Sequence, residues 1–172
     1  QILRLKFEGV MARAKVYLNG VYLGEHLGGY TPFRFEIQDV IKKDEDNFLA
    51  VIVDSTEKAD VPPFGDVIDY LTYGGIYREV YLEVSDPLFI ENVKAEALNV
   101  MDPVKGLKLD VYLNNHINEP VTASMHVTLS DLSGGIVKEY TGPVMVGPGK
   151  QCSTIEIGGL DSIKLWDIDD PV

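Results

Sequence analysis

Residues 14–37 read AKVYLNGVYLGEHLGGYTPFRFEI, and the pair Asn19-Gly20 between two copies of VYL decides the local fold. Both central positions of a type I′ turn need positive φ, which glycine adopts freely and asparagine tolerates, so the pair joins two strands in a tight hairpin. The flanks agree. Ala14, Val16 and Leu18 alternate with Arg13, Lys15 and Tyr17, the period of a strand with one buried face. Upstream, Leu3, Leu5 and Phe7 oppose Arg4, Lys6 and Glu8 in the same way. Downstream, Phe33, Phe35 and Ile37, then Leu49, Val51 and Val53, then Val80, Leu82 and Val84 predict three more strands. No window of about ten residues has helical spacing, and IQDVIKK at 37–43 allows a single turn.

After EVSDPLF, 83–89, the pattern restarts: Pro87 breaks the ladder and Phe89-Ile90 open a new alternation. This predicts one domain over 1–87 and a second over 88–172. In the second, Leu107, Leu109, Val111 and Leu113 predict a strand, as do Val121, Ala123, Met125, Val127 and Leu129. A DLSGG turn follows, then Ile155 and Ile157. Such spacing, with turns rich in Gly, Pro and Asn, predicts a small antiparallel sandwich of immunoglobulin-like type.

Composition narrows the function classes. The 27 acidic residues against 15 basic ones give a formal charge of −12, so a nucleic-acid backbone or an anionic membrane surface meets net repulsion. The longest apolar run, Phe48 to Val53, is far short of the roughly 20 residues of a membrane-spanning helix. Cys152 is the single cysteine, which excludes an internal disulfide and a multi-cysteine metal site and leaves bacterial cytoplasm and periplasm both open. The chain begins on Gln1 with a strand at once and no signal segment, as expected of a piece cut from a longer polypeptide.

Catalytic and cofactor motifs are sparse. His26, His116 and His126 lack metal-site spacing, and no cofactor is expected. DEDN at 44–47 starts like a calcium loop, but Ser55 stands where its closing glutamate belongs, so a solvated turn is the better reading. GPGK at 147–150 lacks the first glycine and the hydroxyl residue of a phosphate loop. Asn118-Glu119 matches the acid pair of many retaining glycosidases, yet it sits in the polar turn NNHINEP between two amphipathic strands, which makes it structural. No serine sits in a nucleophile elbow.

Three stretches carry a resemblance: AKVYLNGVYLGEHLGGYTPFRFEI at 14–37, GGIYREVYLEV at 74–84 and LWDIDDP at 165–171. Together they resemble glycoside hydrolase family 2, which includes β-galactosidases, β-glucuronidases and β-mannosidases. The first looks like the family's VxLNGxxLGxHxGGYxPFxF stretch in its N-terminal sugar-binding jelly roll, and the second like the strand closing that domain. The third is similar to the LWxxxxP that ends the family's immunoglobulin-like second domain. The resemblance implies an all-β chain, a galactose-binding-like jelly-roll β-sandwich truncated at its start and then an immunoglobulin-like β-sandwich. About six strands precede residue 87 where a jelly roll needs about eight, in line with truncation.

It further implies a retaining exo-glycosidase, most like a β-galactosidase, whose two catalytic glutamates lie on a (β/α)₈ barrel following in the same polypeptide. This fragment is then inactive by itself, and its partners are a β-linked sugar substrate and that barrel, with oligomerisation compatible. One binding residue carries over. Family members place an Asp five residues ahead of the small-Gly pair; here that is Asp69 ahead of Gly74 and Gly75, with Asp66 as the competing choice. Its carboxylate is expected to accept hydrogen bonds from sugar hydroxyls, and the two glycines are expected to be the structural pivot of its loop. Arg78 shares strand parity with Val80, Leu82 and Val84, so it is expected to face the core with a carboxylate or carbonyl partner and a structural role. Tyr30, Phe33, Tyr73 and Tyr77 are expected to pack in the sandwich or against the following barrel rather than stack on sugar, and Trp166 to pack at the exit to the next domain. A free-standing carbohydrate-binding module and a purely structural β-sandwich are the competing classes.

Overall fold

The computed structural model describes residues 1–62, 70–161 and 163–169, and among them there are strands and turns but no helix. The chain divides into two compact units, Gln1–Asp86 and Pro87–Val172.

The first unit carries β1 (Ile2–Phe7), β2 (Val10–Met11), β3 (Arg13–Leu18), β4 (Val21–Leu27), β5 (Phe33–Glu36), β6 (Leu49–Asp54), β7 (Gly75–Ile76) and β8 (Val80–Ser85). The Asn19-Gly20 turn joins β3 to β4 with φ of 54° and 84°, the type I′ values that the pair predicts. Two antiparallel sheets result, in the orders β5-β1-β8 and β4-β3-β6, with the β2-β7 ladder beside them. Leu5 and Phe7 from one sheet meet Ala14, Val16 and Leu18 from the other, together with Val10 and Ile37, in one apolar core. The alternation of β1 and β3 thus becomes a β-sandwich because both apolar faces need the same partner. IQDVIKK forms its single turn, with the Val40 and Ile41 amides donating to Ile37 O.

Two features of this unit depart from simple alternation. Arg4, on the polar face of β1, is only 7% exposed. Its cross-strand neighbour Glu83 lies 3.2 Å from Nε, and one of its amino groups donates to Ser85 Oγ at 3.1 Å, so the charge is buried with partners. Conversely, Leu82 and Val84 of β8 keep more than half their surface exposed, although they share a sheet face with the buried Leu5. The reason is position: among the described residues β8 is an outer strand and pairs with β1 alone.

The second unit carries β9 (Leu88–Leu98), β10 (Gly106–Asn115), β11 (Val121–Ser130), β12 (Ile136–Val146) and β13 (Gly149–Gly158). Its sheets run β13-β10-β9 and β11-β12, and Leu109, Val111, Leu113, Met125, Val146, Ile155 and Ile157 fill the space between them. The DLSGG turn closes on Asp131, whose Oδ1 accepts from the Ser133 and Gly135 amides at 2.8 Å. β12 is hidden in the sequence by Gly142 and Pro143. It tolerates them because among the described residues it pairs with β11 alone, which leaves a side where the absent proline N–H costs nothing.

Asn115 is the polar keystone of this unit. At 2% exposure its Nδ2 donates to Glu119 O and Val146 O, both at 3.1 Å, while its Oδ1 accepts from Ile117 N at 2.9 Å. NNHINEP is thereby a turn strapped from within, and Glu119 is exposed on it. Replacing Asn115 by alanine strips two carbonyls and one amide of their partners, which should cost about 2–3 kcal/mol. Urea unfolding followed by circular dichroism measures this; a loss below about 0.5 kcal/mol would mean that water replaces the strap.

Candidate functional site

The stretch YLTYGGIYREV is not one strand. It supplies β7, breaks, and resumes as β8 at Val80. β7 pairs with β2 in a two-residue ladder, Val10 opposite Ile76 and Met11 opposite Gly75, with the Glu8 amide donating to Glu79 O just beyond it. The two glycines serve different needs. Gly75 has φ of 95°, a conformation that side chains resist, and open space where a Cβ would stand. Gly74 lacks positive φ but lacks room: a Cβ there would lie 2.5 Å from Ser55 Oγ, and that hydroxyl is fixed by donating to Met11 O at 2.8 Å.

The turn Gly28-Gly29-Tyr30-Thr31 sits over the same corner. The Gly28 amide donates to Ala12 O at 2.8 Å, and Gly29 packs so closely on Met11 that a side chain would collide with its sulfur. Tyr77 O–H donates to Gly29 O at 2.6 Å. The hydroxyls of Tyr30 and Tyr70 meet at 3.0 Å, and this contact first, with burial second, pushes the Tyr30 phenol up to about 12. Thr31 Oγ1 lies 2.9 Å from His26 Nε2. The His26 ring stacks on Phe33 at 4.4 Å, and burial holds its pKa below the usual histidine value.

Below the corner, an open hollow of about 510 Å³ is lined by Glu8, Tyr77, Arg78, Glu79 and Tyr81. Tyr81 O–H donates to Glu8 Oε1 at 2.5 Å, and Lys6 Nζ reaches the same oxygen at 2.9 Å. The Tyr81 hydrogen bond first, and Lys6 second, hold the Glu8 carboxyl below its ordinary range. Where surroundings shift other carboxyls, at Asp54 and Asp131, hydrogen bonds led by Thr56 and Ser133 also lower them. In each case the hydrogen bonds favour the ionised, accepting form of the carboxyl.

The residues expected from sequence fare differently. Asp66 and Asp69 lie outside the described residues. Arg78 corrects its expectation: it is exposed, not core-facing, and its guanidinium sits 5.5 Å from the centroid of the Tyr77 ring. Strand parity is not transmitted across the break between Ile76 and Val80. Phe33 packs, stacked on Phe7 at 4.8 Å, and Tyr30 and Tyr77 are tied by their hydroxyls, while Tyr73 is 70% exposed. Trp166 is likewise exposed, on a hollow of the second unit lined also by Leu129, Leu132 and Ile163. DEDN is a turn whose ends are joined by Asn47, which accepts from the Lys42 amide and donates to Lys42 O. In GPGK, Gly147 and Pro148 link β12 to β13, and Gly149 and Lys150 open β13. Among the described residues, no cluster of three or more His, Cys, Asp or Glu is arranged to hold a metal. Ser55, Tyr70 and Met11, which fix the corner, carry no motif and were not singled out by sequence; the glycine at 74 was the only hint of a close neighbour.

A β-sandwich whose corner is built from GGYTPF and YGGIYREV is the sugar-binding class of domain found in glycoside hydrolases. The chain belongs to glycoside hydrolase family 2, whose model, described as glycosyl hydrolases family 2, sugar binding domain, matches residues 1–86. A β-galactosidase of Thermoanaerobacterium thermosulfurigenes is 47% identical over 174 residues, covering 99% of this chain and 24% of that protein. One from Rhizobium meliloti is 38% identical over 144 residues, 84% of this chain and 18% of that protein. Among solved structures, a Bacteroides uniformis β-glucuronidase superposes with a TM-score of 0.82 at 25% identity, over 96% of this chain and 20% of that one. The chain thus spans about a quarter or less of the length of these relatives.

The corner makes a direct prediction. Gly74→Ala should cost about 1–3 kcal/mol through overpacking against Ser55, and Ser55→Gly in the same chain should recover part of it, whereas Gly75→Ala should cost about 1–2 kcal/mol that Ser55→Gly does not recover. Thermal unfolding of the four variants tests this; equal recovery at both positions would refute the division of roles.

Proposed function

We propose that this chain is the non-catalytic N-terminal portion of a retaining exo-β-glycosidase, most like a β-galactosidase, that supports a catalytic barrel and lends it a sugar-contacting loop. The similarity to a β-galactosidase over 99% of this chain but 24% of that protein carries the reading, because about three quarters of that relative have no counterpart among these residues. In it, residues 1–87 are the sugar-binding jelly roll and 88–172 an immunoglobulin-like sandwich.

A retaining mechanism needs two carboxyl groups roughly 5–5.5 Å apart, one protonating the leaving oxygen and one attacking the anomeric carbon. Those belong to the barrel. The part of this chain is to orient the sugar: Asp69, or Asp66 in its place, accepts hydrogen bonds from ring hydroxyls, and Gly74 and Gly75 set the path of the chain behind it.

A free-standing carbohydrate-binding module is the second reading, favoured by the exposed rings of Tyr70 and Tyr73. Nitrophenyl β-galactoside, β-glucuronide and β-mannoside separate the cases. The chain alone should release no nitrophenol above buffer, and turnover would place catalytic carboxylates within it. In the enzyme that contains the chain, Asp69→Ala should lower kcat/KM by about 10- to 100-fold; an unchanged value would move the contact to Asp66. Calorimetric binding of free sugar to the chain alone at micromolar Kd would favour the module.

A further inference from the structure

We infer that Asn19-Gly20 is a latent modification site, an asparagine able to deamidate that the folded hairpin keeps closed and the Asn47 side chain guards. It is the only asparagine of the chain followed by glycine. With no Cβ beside it, the Gly20 nitrogen is free to attack the Asn19 side-chain carbonyl carbon. A bond forms between the Gly20 nitrogen and Asn19 Cγ, the Cγ–Nδ2 bond breaks, and ammonia leaves with the Gly20 amide proton. Water then opens the five-membered imide at one carbonyl or the other, giving aspartate or isoaspartate. Gly20 is exposed, with open space where a Cβ would stand, so solvent reaches the reacting bond.

Two features of the folded chain oppose the first step. Closing the imide needs the Gly20 nitrogen and the Asn19 Cβ on the same side of the Asn19 Cα–C bond. Asn19 has φ of 54°, and the ψ of about +30° that a type I′ turn gives this position puts them on opposite sides. The turn must open before the ring can close. The side-chain amide is also held at both ends. Its Nδ2 donates to Val40 O at 3.0 Å and to Asn47 Oδ1 at 2.8 Å, and its Oδ1 accepts from the Phe48 amide at 2.9 Å. Asn47 is fixed in turn, accepting from the Lys42 amide and donating to Lys42 O and Glu45 O. Once formed, aspartate at 19 has no N–H for Val40 O or Asn47 Oδ1, and isoaspartate lengthens the backbone of the turn by a methylene. The reaction therefore removes its own brake and frees the hairpin from the segment at 40–48.

The test incubates the whole chain, folded and in urea, in mildly alkaline buffer, and follows amide and acid forms of the tryptic peptide 16–34 by mass spectrometry. Asn19 should deamidate at least about 30-fold faster in urea than in the folded chain, because reaction is confined to the opened fraction. Asn47→Ala should speed the folded chain about five- to tenfold, the size of one lost hydrogen bond, while Asn47→Asp, which keeps an accepting oxygen, should stay within about threefold of the native rate. No acid form in urea would overturn the site, and equal rates in urea and in the fold would overturn the lock. An unchanged rate in Asn47→Ala, or equal acceleration by both variants, would overturn the guarding role of Asn47. Loss of the folded circular dichroism in Asn47→Ala, with the full urea rate, would overturn it as well, since the brake would then be the fold at large rather than this strap.

Discussion

The site hangs from a ladder two residues long. Met11 opposite Gly75 and Val10 opposite Ile76 join a short strand near the start of the first unit to one near its end. Val10 and Met11 are buried, so the ladder is anchored in apolar packing rather than floating at the rim. Everything around it is close fitting: Ser55 against Gly74, Met11 against Gly29, the Tyr77 hydroxyl against Gly29 O. Backbone can approach backbone this nearly only where side chains are absent, which is why glycines crowd the corner. The large polar rings then reach outward from it and meet by their hydroxyls.

The charges of this unit find their partners locally. Glu8 is engaged by Tyr81 and Lys6, and Arg4 by Glu83 and Ser85, so charges are matched within the sheet β5-β1-β8. A carboxylate stabilised in its ionised form is a good acceptor for hydroxyls and a poor source of protons. The hollow beside it is open to solvent and lined by two tyrosines, two glutamates and an arginine. Such a surface can orient a polar ring, but it does not exclude the water that weakens hydrogen bonds.

Much of the fold was legible because its signals are local. The Asn19-Gly20 turn dictates its own φ values, and the alternations around it have period two, so the hairpin, β1, β5 and β6 follow from a few residues each. β2 and β7 were not legible, since two residues show no period, and β12 was masked by Gly142 and Pro143, whose acceptability depends on β12 pairing on one side only. Arg78 was misplaced for a related reason: parity extrapolated backward from Val80 assumes an unbroken strand, and the strand is broken at Tyr77–Glu79. The candidate site was half legible. Gly74 and Gly75 announced a special backbone, but a sequence cannot distinguish a glycine needed for its φ from one needed for its size, and Ser55, which makes the difference, lies 19 residues away in chain order.

The same distinction governs how the corner could have diversified. At Gly75 the constraint is conformational, so asparagine or aspartate, which tolerate positive φ, are the side chains it could accept, and the surrounding space is open to them. At Gly74 the constraint is steric and shared, so a larger residue is admissible only if Ser55 shrinks or turns, and turning it breaks the bond to Met11 O. Met11 in turn packs on Gly29, and Gly29 holds Tyr77. A change at position 74 therefore propagates through Ser55 and Met11 to the turn that meets Tyr70, while a change at 75 stays local. Two adjacent, identical residues are thus coupled to the 28–31 turn with different strength, and the weaker link is the one whose φ is unusual.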